Sequence, residues 1–160
     1  MDKKFWKNKK ILITGINGFV GSNLAKKLIN LGAKVYGITI DKSKKSLLYY
    51  EKINKNCKIY IGDISNKKFV ERILNKKNYE IIYHLAAQVE VGVANKDPFT
   101  TWESNIRGTY NLLNTIVRHK NVKAIIIASS DKSYGSYAKK FLPYKENYHS
   151  KAIFPYDVSK

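Results

Sequence analysis

Tyr156 and Lys160 stand four residues apart in a chain of 160 residues, a spacing that sets both side chains on one face when the segment is helical. An ammonium beside a phenol favours the phenolate, so the pair can make Tyr156 a base near neutral pH. Such a pair arises by chance in a lysine-rich chain; Ser130 nearby and a glycine pattern far upstream give it meaning. That pattern is Thr14-Gly15-Ile16-Asn17-Gly18-Phe19-Val20-Gly21. Glycine at the turn permits positive φ, glycine at the second position lets the backbone approach a pyrophosphate, and glycine at the third allows close helix-to-strand packing. The N–H groups of the helix that follows then face the anion. About twenty residues past Gly21, Asp41 ends a strand-like run, where a carboxylate can accept hydrogen bonds from an adenine ribose.

These groups need a scaffold that brings residues 15, 41, 130 and 156 together. Ile11 to Ile13 predict a short buried strand, and the helix after it carries Val20, Leu24, Leu28 and Leu31 on one side and stops at Gly32. Lys34 to Ile40 is a second strand, Ser43 to Asn54 a helix, Lys58 to Ile61 a third strand closed by Gly62-Asp63-Ile64, and Asn66 to Lys77 another helix. Glu80 to Leu85 is a fourth strand running into His84-Leu85-Ala86-Ala87-Gln88, where small residues let a ligand lie against the backbone. Asp97-Pro98 predicts the start of a long helix whose stripe, Phe99, Trp102, Ile106, Tyr110, Leu113, Ile116 and Val117, reads as core. Val122 to Ala128 is a fifth strand, apolar throughout as if covered on both faces. Ser129 to Gly135 leave its carboxyl end, where open sheets keep their ligands. The alternation predicts an α/β fold, a doubly wound parallel sheet of Rossmann type in a single domain over residues 1–160.

Composition narrows the function. The net charge is +18, from 30 Lys plus Arg against 12 Asp plus Glu. The lysines are spread through every predicted element with no basic tail, so no specific nucleic-acid partner is expected, and the charge instead favours capture of anionic ligands. A single cysteine, Cys57, cannot form an internal disulfide, which fits a reducing, cytoplasmic setting. The basic first ten residues lack the apolar core of a signal peptide, and no apolar run is long enough to span a bilayer, so no membrane partner is expected. His84 reads as a packed or nucleotide-facing histidine; no second ligand stands at metal spacing, and no metal is expected.

In order and spacing, Thr14-Gly15-x-x-Gly18-Phe19-Val20-Gly21, Asp41, Asp63-Ile64, Leu85-Ala86-Ala87, Asn105, Gly108-Thr109, Ser129-Ser130 and Tyr156-x-x-x-Lys160 resemble the extended short-chain dehydrogenase/reductases, the NAD-dependent nucleotide-sugar epimerases and dehydratases. The resemblance implies a cofactor site of Gly15, Gly18, Phe19, Val20, Gly21, Asp41, Asp63, Ile64, Leu85, Ala86, Ala87, Asn105, Tyr156 and Lys160. In it the glycines hold the pyrophosphate, Asp41 the adenine ribose, Asp63 and Ile64 the adenine, and Lys160 the nicotinamide ribose. Ser130 and Tyr156 would act on a 4-hydroxyl of a nucleotide sugar, and a homodimer through the long helices is implied as well.

Ser130-Asp131-Lys132-x-Tyr134 resembles the CDP-glucose 4,6-dehydratase branch in particular. That implies oxidation at C4 with Tyr156 as base, loss of water across C5 and C6 with Lys132 taking the C5 proton and Asp131 protonating the departing hydroxyl, and hydride return to C6. Lys132 needs burial or a neighbouring cation for this. Asp41 favours NAD over NADP, since a carboxylate repels a 2′-phosphate, although Lys42, Lys44 and Lys45 follow it. A 4-epimerase or reductase of the same fold and a non-catalytic nucleotide-binding module are the alternatives. Relatives continue past the Tyr-x-x-x-Lys helix, so the expectation is a fold incomplete at its carboxyl end, in which so short a helical turn would fray beside an exposed fifth strand.

Overall fold

The computed structural model describes residues 2–41 and 43–160; Lys42 and whatever its charge contributes lie outside them. A helical turn α1 (Lys3–Trp6) precedes β1 (Lys10–Thr14), α2 (Phe19–Asn30), β2 (Lys34–Thr39), α3 (Leu47–Tyr50) and β3 (Cys57–Ile61). Then come α4 (Lys67–Leu74), β4 (Ile81–His84), α5 (Val91–Lys96), α6 (Pro98–Trp102), α7 (Gly108–Ile116), β5 (Ala124–Ile127) and a last turn, α8 (Pro155–Val158). The five strands form one parallel sheet in the order β3-β2-β1-β4-β5. The chain adds strands outward on one side of β1, then crosses back to lay β4 on the other. A crevice therefore opens at the carboxyl ends of β1 and β4.

Alternation along β1 divides the core. Ile11 and Ile13 pack with Ala25, Leu28, Val35 and Leu48 on the face covered by α2 and α3. Leu12 points the other way, into a cluster with Ile38, Phe69, Val70, Ile73, Ile82 and Leu112 under α4 and α7. Both faces of the central strands are covered, which is why they read as continuous apolar runs.

Four expectations are corrected. The helix expected over Ser43–Asn54 is confined to α3 and a 3₁₀ turn at Ile53–Asn56. Asp41 Oδ1 accepts from Ser43 N and Ser43 Oγ from Lys45 N, local turns that compete with helix, and Lys52 adopts φ +56° between the two pieces. Val20 is 63% exposed rather than part of the buried side of α2, which is made by Gly21, Ser22, Ala25 and Leu28. β5 is one of the two edges of the sheet with Ile126 and Ile127 exposed, so it is the expected open fifth strand and not a strand covered on both faces.

The largest correction concerns the long helix. Apart from Ile116, which packs against the core, its apolar stripe faces outward: Phe99 is 70% and Val117 85% exposed, and Trp102, Ile106, Tyr110 and Leu113 are exposed as well. The face on the sheet is Thr101, Asn105, Gly108, Asn111, Leu112 and Thr115. Small and polar residues win that face because the approach is close and the hydrogen bonds are met. A Cβ on Gly108 would come within 2.6 Å of Ile64 Cδ1, and Asn111 Nδ2 donates to the carbonyls of Ile64 and Ser65. A π-helical turn at Glu103–Arg107 also interrupts the ordinary period between α6 and α7.

Candidate functional site

The loop after β1 turns at Gly15 with φ +71°, and a side chain there would meet the Ala86 backbone at 2.8 Å. Gly21 sits so close beneath the loop that a Cβ would lie 2.3 Å from Gly15 O. Gly18 caps α2 without a side chain, which leaves the first-turn N–H groups of the helix for an anion. Gly15, Gly18, Phe19, Val20 and Gly21 form one wall of a crevice of about 410 Å³, whose other walls are Asp63 and Ile64 after β3 and Leu85, Ala86 and Ala87 after β4. Phe19 and Val20 are exposed because they open onto this crevice. Asp41 stands just beyond it, past Thr39 and Ile40, which line it.

Ala86 and Ala87 also wall a second cavity of about 320 Å³, shared with His84, Asn105, Thr109, Ala128 and Lys160. The sheet thus carries two adjoining recesses at its carboxyl ends, with the glycine loop in one and Lys160 in the other. Lys160 Nζ donates to Ala128 O at 2.6 Å, and burial pulls its ammonium below the ordinary lysine value.

The turn holding Tyr156 and Lys160 is docked, against the expectation that it would fray. Trp102 Nε1 donates to Pro155 O, Asn105 Nδ2 to Ser159 Oγ, and Ser129 Oγ to Lys160 O. Tertiary hydrogen bonds replace the helix length that nucleation would otherwise require. Tyr156 is 9% exposed.

Ser130, Asp131 and Lys132 follow β5 and line neither recess. Ser130 Oγ accepts from Lys132 N and donates to Asp131 Oδ1 at 3.2 Å, capping a 3₁₀ turn over Asp131–Tyr134. Both Asp131 and Lys132 are exposed, so the burial that a neutral Lys132 would call for is not in place.

Folding gives His84 and Asn105 partners that the sequence does not announce, and it gives Asn17 a part that the sequence reading passes over. His84 is buried, with Nδ1 2.7 Å from Thr14 Oγ1 and Nε2 2.9 Å from Thr109 Oγ1. Burial first, and then the Lys160 charge, hold its pKa down at about 4. Asn105, in the π-turn, accepts from Gln88 N and donates to Gln88 O and to Ser159, tying the loop after β4 to the Tyr156–Lys160 turn. Asn17, between the glycines, reaches the Asp41 carboxylate. A large polar amide in a loop otherwise selected for small size is the signal that could have found it. Among the described residues no group of three or more His, Cys, Asp or Glu could hold a metal, and no helix is long and apolar enough to cross a membrane.

Comparison with known proteins bears on this arrangement. The family model described as GDP-mannose 4,6 dehydratase matches residues 12–160. A CDP-glucose 4,6-dehydratase of Salmonella typhimurium is 34% identical over the whole chain, and a UDP-glucose 4-epimerase of Pisum sativum is 28% identical over 96% of it. The chain spans 45% of the length of each. Among solved structures, a UDP-glucose 4-epimerase of Thermotoga maritima with UDP-glucose superimposes with a TM-score of 0.84 at 33% identity, over 94% of this chain and 47% of that one. One of Bifidobacterium longum, in complex with NAD+ and UDP, gives 0.83 at 28% identity, over 95% of this chain and 46% of that one.

Proposed function

The chain belongs to the GDP-mannose 4,6 dehydratase family, and from that premise we propose that it binds NAD in the crevice between β1 and β4 and serves the C4 oxidation of a nucleotide-activated hexose. The observation that carries this reading is that the two recesses adjoin, sharing Ala86 and Ala87 as a wall, with the uncapped start of α2 on one and the half-buried Lys160 on the other. A long, two-ended anionic ligand fits that shape, and Gly18, on the crevice wall at the start of α2 and without a side chain, leaves the backbone free to approach its pyrophosphate. Bound there, NAD supplies the acceptor, and later the donor, of a hydride.

The rest falls to side chains of the chain itself. Tyr156 takes the proton of the 4-hydroxyl, helped by the Lys160 cation on the same turn. Ser130 offers that hydroxyl a hydrogen-bond partner. In the 4,6-dehydratase reading, Asp131 gives a proton to the departing 6-hydroxyl and Lys132 removes the proton from C5, which requires that the exposed Asp131 and Lys132 be covered when substrate binds. Likeness to the Salmonella CDP-glucose 4,6-dehydratase and the Ser-Asp-Lys run favour a CDP-glucose-like substrate. Likeness to the pea and Thermotoga 4-epimerases supports a second reading, interconversion at C4 without loss of water. Incubation of the protein with NAD and either CDP-glucose or UDP-glucose, followed by mass spectrometry and NMR, separates them. A 4-keto product lighter by one water supports dehydration, a C4 epimer supports the second reading, and unchanged sugar under NAD saturation removes both.

A further inference from the structure

Asp41 does not stand alone at the end of β2. Its Oδ1 accepts from Ser43 N at 2.6 Å and its Oδ2 from Asn17 Nδ2 at 3.3 Å. The second N–H of Asn17 goes to Ser43 O at 3.2 Å, and the Asn17 Oδ1 accepts from Ser46 Oγ. The orientation of the amide follows from its partners. Both groups on the nitrogen side, a carboxylate and a carbonyl, can only accept, so the NH₂ must face them. Asn17 is therefore fully engaged, and it ties the glycine loop to the segment that follows β2.

We propose that Asn17 is a positioning residue that makes Asp41 discriminate between NAD and NADP. The proposal rests on the reading of the crevice as a dinucleotide site. With one hydrogen bond already made on each oxygen, the Asp41 carboxylate keeps a lone pair on each for a vicinal diol, held in one orientation before the ligand arrives. Preorganisation lowers the ordering cost of binding. The same two tethers keep the carboxylate from swinging aside to admit a 2′-phosphate. Lys44 and Lys45, exposed a few residues on, pull the other way, because cations beside a free-swinging Asp41 would attract that phosphate. Asn17 decides the contest by holding the negative charge where the 2′ position falls.

The experiment measures dissociation constants of NAD and of NADP for the wild type, Asn17→Ala and Ser46→Ala by calorimetry. Losing the Asn17 tether should weaken NAD about 5- to 10-fold, as expected for one partly exposed hydrogen bond to a charged group, while NADP is weakened less or gains. The NAD-to-NADP preference thus falls, and Ser46→Ala shifts it in the same direction by a smaller factor. A purely structural role for Asn17 would weaken both cofactors alike, and an unchanged preference in Asn17→Ala overturns the proposal. Should Asn17→Ala fail to fold, an unchanged preference in Ser46→Ala overturns it instead. Failure of the wild type to bind either cofactor defeats the dinucleotide reading itself, and this proposal with it.

Discussion

His84 Nδ1 lies 2.7 Å from Thr14 Oγ1, across the parallel register that pairs these two residues at the ends of β4 and β1. The proton positions in this contact can be assigned by donor accounting. Thr109 Oγ1 spends its hydrogen on Asn105 O, so His84 Nε2 must donate to it. Thr14 Oγ1 accepts from Ala86 N and gives its own hydrogen to His84 Nδ1. A neutral Nε2–H imidazole thus joins the glycine-loop strand to Thr109 of α7 and, through it, to Asn105 of the π-turn, which in turn holds the Tyr156–Lys160 segment.

Protonating His84 would put a hydrogen on Nδ1 where an acceptor is needed, beside the Lys160 charge. Its pKa in the fold is about 4 against an ordinary 6.5. Between these values the unfolded chain takes up a proton that the folded chain refuses. The stability this confers is fully present above about pH 6.5 and is lost as the pH falls toward 4. It amounts to about 3 kcal/mol in all. Urea denaturation across this pH range checks it: His84→Gln, which keeps a donor and an acceptor, should flatten the slope, and an equal slope in both proteins would contradict the assignment.

Gly21→Ala and Gly18→Ala should differ sharply. The added methyl at Gly21 meets Gly15 O at 2.3 Å, backbone that cannot step aside, whereas at Gly18 the nearest contact is 3.3 Å. Expected losses of stability are about 2 kcal/mol or more for the first and within about 1 kcal/mol for the second. Thermal unfolding of the two variants measures the contrast.

The outward stripe of the long helix predicts an inversion of the usual rule. Val117→Lys, at a position 85% exposed, should leave stability within about 0.5 kcal/mol of the wild type. Leu112→Ala, fully buried one turn earlier on the opposite face, should cost about 2–5 kcal/mol. Equal costs in denaturant titrations would mean that the stripe is core after all.

Tyr156→Phe keeps the buried ring and removes only the phenol. Under the proposed function, sugar oxidation should fall by a factor of about 10²–10⁴, the range for loss of a general base, with NAD affinity changed far less. Steady-state turnover and NAD binding, measured side by side, test the two halves of this statement.

The fold was legible where the sheet itself imposes the pattern. Ile11 to Ile13, the glycine loop, the Asp97-Pro98 helix start and the three inner strands β2, β1 and β4 follow from burial on two faces, turn geometry and capping, all written locally. The docked turn at Pro155–Val158 was not legible, because its support comes from Trp102 and Asn105, 53 and 54 residues away from the Pro155 and Ser159 they bind. The long helix was misread for a related reason. Periodicity marks the apolar face, but the face laid on the sheet is chosen by closeness and hydrogen bonding, as Gly108 and Asn111 show. At the site, residue types announced the phosphate loop, while the roles of Asn17 and His84 depend on partners brought in by folding.

Titration of the protein with NAD in a calorimeter is the most direct test of the central claim, that the β1–β4 crevice is a dinucleotide site. Saturable binding of one NAD per chain, displaced by ADP-ribose, is the expected result. A protein that shows the far-UV circular dichroism of a folded α/β sheet yet gives no saturable binding of NAD would contradict it.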